Sequence, residues 1–145
     1  MVYSLMRLHH AAQNKEEAMA KGFDANRERL DLIGSFGKNL AKRAAFTCEW
    51  CGGKNDLRTW DYRPDQEPTA ESLALLCARC RELAGGSKAQ SGELRSLQGA
   101  LWSDVPSVAQ GAAQVLARSR EPWVREAIEE SLIEETVKEE LLKGL

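Results

Sequence analysis

Every cysteine of the 145-residue chain lies in one of two motifs, Cys48-Glu-Trp-Cys51 and Cys77-Ala-Arg-Cys80, with 25 residues between them. A tetrahedral zinc ion takes four soft ligands at about 2.3 Å. A CxxC turn directs two thiolates toward one point and leaves backbone N–H groups facing the sulfurs. Two such turns, brought together by an intervening hairpin, complete the shell. Gly52 and Gly53 follow the first motif and let its turn bend tightly. The spacing predicts one Zn2+ held by Cys48, Cys51, Cys77 and Cys80. Four thiolates leave no coordination position for water, so the expected role is structural and no catalytic residue is assigned. Three alternatives use the same residues. A thioredoxin-like thiol pair would need one motif at a helix start, and it leaves the second motif unexplained. Two disulfides would suit a secreted chain. A four-cysteine iron site has the same ligand pattern. The only histidines, His9 and His10, are distant in sequence and read as an ordinary exposed or packed pair.

The motifs need a scaffold, and the flanking residues describe one. Tyr3 to Lys21 has helix-forming composition, with Gly22 as its stop and Asp24 as the next N-cap. Leu30, Ile33, Leu40 and Phe46 mark the buried side of one or two following helices, with a break near Gly34 and Gly37. "LRTWDY" alternates like a strand, and "SLALLCARCREL" reads as an apolar strand that turns into a short helix. "GGSKAQSGE" at 85–93 is a linker. Beyond it, Val105, Val108, Ala112, Val115 and Leu116 predict a helix opened by Asp104 and Pro106. From Ser119, residues Trp123, Val124, Ala127, Ile128, Leu132, Ile133, Val137, Leu141 and Leu142 recur at helical period and predict one long final helix. The expected class is mainly α with a small four-cysteine zinc-ribbon or treble-clef β-hairpin lobe, an α+β chain. Its parts are N-terminal helices over 1–45, the zinc lobe over 46–86 and C-terminal helices over 87–145, packed as one unit.

Charge narrows the partners. The net charge is −2 and the pI about 5.8, against a general binder of phosphate backbones. Residues 1–90 carry 14 bases against 12 acids, and residues 91–145 carry 6 against 10, so the acidity belongs to the C-terminal part. No acid interrupts Lys38, Lys42 and Arg43 on the way to Cys48. The start, "MVYSLMRLHHAAQNKEEAMA", has no apolar run long enough for an export signal, and no window suits a membrane span, so the expected location is cytoplasmic and no membrane partner is expected.

Two resemblances extend this reading. "FTCEWCGGKNDLRTWDYRPDQEPTAESLALLCARCREL" is similar in outline to the zinc-bound His-Asn-His (HNH) nuclease module, a treble-clef arrangement. In those nucleases a histidine-bearing strand follows the first CxxC. Here that strand reads Thr59 to Tyr62 without histidine, and Arg81 follows Cys80, so the base that would activate water is missing. The second resemblance covers most of the chain after Ile33. "KNLAKRAAFTCEWCG", "ALWSDVPSV" and "EPWVREAIEESLIEETVKEELLKG" resemble, in order, three segments of the PhnA-like family, named from an alkylphosphonate-uptake operon. That resemblance implies a zinc-ribbon protein. The matching stretch stops before the small β-barrel-like domain of longer members. Trp102, Val105 and Pro106 of the second segment are read as a packed corner.

The resulting expectation is a non-catalytic zinc-binding protein that serves as an interaction module for a protein or a nucleic acid. Lys38, Lys42, Arg43, Arg58, Arg63 and Arg81, with Arg79 nearby, are the candidate contacts. Trp50, Trp60 and Tyr62 would either offer stacking faces or cover the zinc lobe. The alternative is an enzyme, a degenerate HNH-type nuclease or a phosphonate-related hydrolase, with a second metal held by Asp61, Asp65, Glu67 or Glu71. An apolar stripe on the final helix also admits a homodimer.

Overall fold

A computed structural model describes residues 24–145. The expected helix over Tyr3–Lys21, its Gly22 stop and the pair His9–His10 lie outside the described residues. The chain divides at Ser35–Phe36 into two units. Of the first, residues 24–35 are helical (α1), Asp24 included. Leu30, expected on a buried face, is exposed.

The second unit contains both cysteine motifs. Its elements are α2 (Gly37–Arg43), β1 (Arg58–Asp61), β2 (Leu73–Leu76), α3 (Ala78–Ala84), α4 (Ser91–Ala100), α5 (Pro106–Ser119), α6 (Val124–Glu130) and α7 (Glu135–Leu142). It is mainly helical, with one antiparallel hairpin in which Arg58 faces Leu76 and Asp61 faces Leu73. This is the expected α+β class with a small cysteine-bearing lobe. Among the described residues, no helix is long and apolar enough to cross a membrane.

Helix α5 is the centre of the core. Val108, Ala109, Ala112, Ala113, Val115 and Leu116 are all buried along it. Its small residues let neighbours approach closely, and α4, α3, β2, α6 and α7 all pack on it. Pro106 opens the helix at its first position, where a missing N–H costs nothing. Asp104 does not cap it; Val105 holds the N-cap position with no side-chain bond. Strand β2 is buried along its whole length, because α2 and α5 cover it. The linker is shorter than expected. A reciprocal cap between Gln90 and Glu93 starts α4 at Ser91.

The long final helix is corrected to two short ones. The chain leaves the helix at Ser131, whose hydroxyl donates to the Ile128 carbonyl at 2.6 Å, and re-enters at Glu135. A straight helix would bury Leu132 together with Ile128. The break buries Ile133 instead and leaves Leu132 75% exposed, so that α7 can fold back on α5. Lys138 crosses the gap, its Nζ donating to the Glu129 carbonyl at 2.8 Å, which answers one acceptor freed at the end of α6.

Two further expectations change. Phe46 is 64% exposed, because Ala45 and Phe46 both take left-handed backbone and turn the chain out of α2 into the first motif. Trp102 is 53% exposed where a packed corner was expected. The turn after α4 points Leu101 inward, and its neighbour then faces solvent.

Gly111 shows how tightly the hairpin sits on α5. A Cβ there would lie 2.8 Å from the Trp60 ring and 2.9 Å from the Trp50 ring. Gly111→Ala is therefore expected to destabilise the protein by about 1–3 kcal/mol despite the better helix propensity of alanine. Urea unfolding of the two proteins checks this, and equal midpoints would show that the indoles move aside freely.

Candidate metal centre

Each cysteine motif is built by its own turn. In the first, Cys48 N–H donates to the Gly53 carbonyl at 2.7 Å, and Gly52 N–H to the Cys48 carbonyl at 2.9 Å. Gly52 has φ +76°, a left-handed conformation that glycine adopts without strain. Gly53 N–H then faces the Cys51 sulfur at 3.4 Å. In the second, Cys77 is the extended residue that precedes α3, and its sulfur accepts the Cys80 N–H at 3.4 Å. The hairpin delivers one turn to the other, and the Ala78 N–H donates to the Asn55 carbonyl across the join.

The result is a cluster in which the sulfurs of Cys48, Cys51, Cys77 and Cys80 all lie within 4.8 Å of one another. The sulfurs of Cys51 and Cys77, from different motifs, are 3.6 Å apart. Cys48, Cys77 and Cys80 are buried and Cys51 is exposed. These four residues are positioned to hold a metal ion.

The electrostatics of the cluster favour a cation. Four adjacent thiols cannot all ionise without one. A hydrogen bond with Cys80 pulls the Cys48 thiol well below its ordinary range, against the opposing effect of burial. That bond pushes the Cys80 thiol up, helped by burial and by the Cys48 charge. A bound cation reverses this logic by attracting all four thiolates.

Residues around the cluster hold it in place, and several were candidate contacts. Arg43 grips Glu49 with two parallel bonds, Nε to Oε2 at 3.0 Å and Nη2 to Oε1 at 2.7 Å. It also donates to the carbonyls of Ala70 (2.6 Å) and Leu73 (2.8 Å). Glu49 in turn serves the outer edge of β2: its N–H donates to the Leu75 carbonyl at 2.8 Å and its carboxylate accepts the Leu75 N–H at 2.9 Å. Ser107 donates to the Leu73 carbonyl at 2.7 Å from α5. An unpaired strand edge is thereby covered by side chains.

Arg81 reaches back to the Asp56 carboxylate and carbonyl, both at 2.8 Å, and fastens the loop after the first motif to α3. Its hydrogen bond holds the Asp56 carboxyl below the usual range, ahead of the smaller contribution of Arg58. This pair is complete above the ordinary carboxylate range and opens as pH falls through the depressed one. Arg79 pairs with Glu93 and Glu82 and ties α3 to α4. Arg63 lies over the Tyr62 ring at 4.9 Å. Lys38 and Lys42 are exposed on α2, and Arg58 is exposed beside Asp56.

The aromatic residues are packed. Trp50 is buried, and its indole N–H donates to the Val108 carbonyl at 3.0 Å. Trp60 meets it edge-on at 5.2 Å, and Tyr62 bonds Gln110. These three cover the lobe and knit it to α5. Asp61, Asp65, Glu67 and Glu71 do not converge into a metal-capable group, and among the described residues the four cysteines form the one such cluster.

Glu49 is the residue that sequence reasoning passed over. The signal was available, because it is the sole acid between Asp31 and Asp56 and sits inside the first cysteine motif. Gly111 was likewise visible as a glycine inside a strong helix, which marks a close approach. No family model, curated protein or solved structure matches the chain.

Proposed function

We propose that this chain is a non-catalytic zinc-binding protein whose single, closed four-cysteine centre staples an interaction module together. The observation that carries the reading is the donor set: among the described residues the cluster consists of four sulfurs. Thiolates favour zinc over the hard cations, and four of them saturate a tetrahedral ion. Bound there, the ion contributes folding energy and cancels the mutual repulsion of the thiolates. The PhnA-like affiliation is part of the same proposal, supported by three segments in order. One of them runs through α2 into the first motif, and another spans the corner from α4 to α5.

A protein is the favoured partner. Arg43, Arg79 and Arg81 have internal partners, Trp50 is buried and the half-buried Trp60 packs against it, which takes these residues out of a nucleic-acid surface and leaves Lys38, Lys42 and Arg58 exposed. Phe46 and Trp102 expose large apolar area instead, and such residues are enriched in protein interfaces.

Elemental analysis of the purified protein tests the centre, with one zinc per chain expected. Iron at that stoichiometry, or no metal, would overturn it. Co-purification with tagged wild-type and Trp102→Glu chains tests the partner. A protein held by the first and lost by the second is expected, whereas recovery of nucleic acid by both would move the reading to that class.

A further inference from the structure

We propose that Cys51 is a peroxide-reactive modification site, and that Cys77 resolves its oxidised form into a Cys51–Cys77 disulfide that opens the metal centre. This rests on the zinc reading above. The four sulfurs are chemically alike but unequally reachable. Cys48, Cys77 and Cys80 are buried, and Cys51 is exposed. It also borders a small apolar cavity of about 150 Å³, shared with Cys80, Arg79, Leu83 and Gly92, but Cys80 meets it as a buried residue and Cys51 as an exposed one. Oxidation of cysteine follows thiolate character and access, and metal coordination keeps all four deprotonated, so access decides which reacts first.

The chemistry is complete with hydrogen peroxide as the oxidant. The Cys51 thiolate attacks one peroxide oxygen; the S–O bond forms, the O–O bond breaks and hydroxide leaves. The sulfur has lost two electrons and peroxide has gained them. The Cys77 thiolate, 3.6 Å away, then attacks the Cys51 sulfur; the S–S bond forms, the S–O bond breaks and a second hydroxide leaves. The sulfurs must close to about 2.05 Å, and the Gly52–Gly53 turn beside Cys51 gives the first motif room to move. Two thiolates remain, Cys48 and Cys80, too few to retain the ion.

The test uses the zinc-loaded full chain. Peroxide is added, released zinc is followed with a chromogenic chelator, and the remaining thiols are alkylated and mapped by mass spectrometry. One zinc released per Cys51–Cys77 link is expected, with Cys48 and Cys80 still alkylatable. Dithiothreitol and added zinc should restore the centre. A first lesion at another cysteine, or a Cys48–Cys51 link, overturns the proposal.

Gly92 offers a variant that touches no ligand. It lines the cavity on α4 with open space at its Cβ position. Gly92→Phe should screen Cys51 and slow release about tenfold at unchanged zinc content, while Gly92→Ala should not. Equal rates for all three proteins overturn the proposal. A purified protein without zinc removes the zinc reading before peroxide is added. A zinc-loaded protein that withstands peroxide removes this inference alone.

Discussion

Cys80→Ser is expected to lose its metal and to unfold far more than the segment between the motifs. Serine keeps a proton at neutral pH and is no substitute for a thiolate ligand. A structural zinc supplies folding free energy of about 10 kcal/mol or more in small metal sites, comparable with the whole stability of an ordinary domain. The damage spreads because the cluster is not a separate lobe energetically. Cys48, Cys77 and Cys80 belong to one contiguous core with Leu97, Leu116 and Ile128. The variant also leaves the Cys48 and Cys77 sulfurs buried without the ion that would join them. Circular dichroism should show loss of cooperative unfolding, and an excess of a strong chelator on the native protein should reproduce it. Acid should act in the same direction, since protons compete with the ion for the thiolates and affinity falls as pH falls. A Cys80→Ser protein with one zinc per chain and native spectra would sink the reading.

The cysteine motifs were legible because metal coordination is a local demand: four ligands of one type, in pairs, at fixed short spacing. The hairpin was legible for a related reason, since "LRTWDY" and "LALL" carry strand patterns that end at turn residues. The final helix was misread because periodicity reports which residues can share a face and not which do. Leu132 and Ile133 both fit the stripe, and the break at Ser131 buries only Ile133. Phe46 and Trp102 were misread because the left-handed backbone at Ala45 and Phe46 and the turn that closes α4 at Leu101 decide their direction, and no period encodes such a turn. The arginines were the hardest. A base beside a metal motif looks the same in sequence whether it meets a partner or Glu49, and that distinction depends on a strand edge 30 residues further along the chain.

Arg43 is where the two readings diverge most in their consequences. Its side chain is 25% exposed, and the Glu49 side chain it holds is 8% exposed. Removing one member of such a pair leaves the other charged, poorly solvated and bound to a strand edge it can no longer hold firmly. Arg43→Ala should therefore cost roughly 3 kcal/mol, read as a lower denaturant midpoint of the zinc-loaded protein. Arg43→Lys should not rescue it, because a single ammonium cannot reproduce two parallel bonds to Glu49 together with two to the carbonyls of Ala70 and Leu73. Lys42→Ala, one residue away on the exposed side of α2, should stay within about 0.5 kcal/mol of wild type. A nucleic-acid contact behaves oppositely: both substitutions would leave stability unchanged and would weaken binding of single-stranded DNA in a salt-dependent way. Wild-type stability in Arg43→Ala, with weakened DNA binding at low salt, would return Arg43 to the surface and Glu49 to an ordinary loop residue.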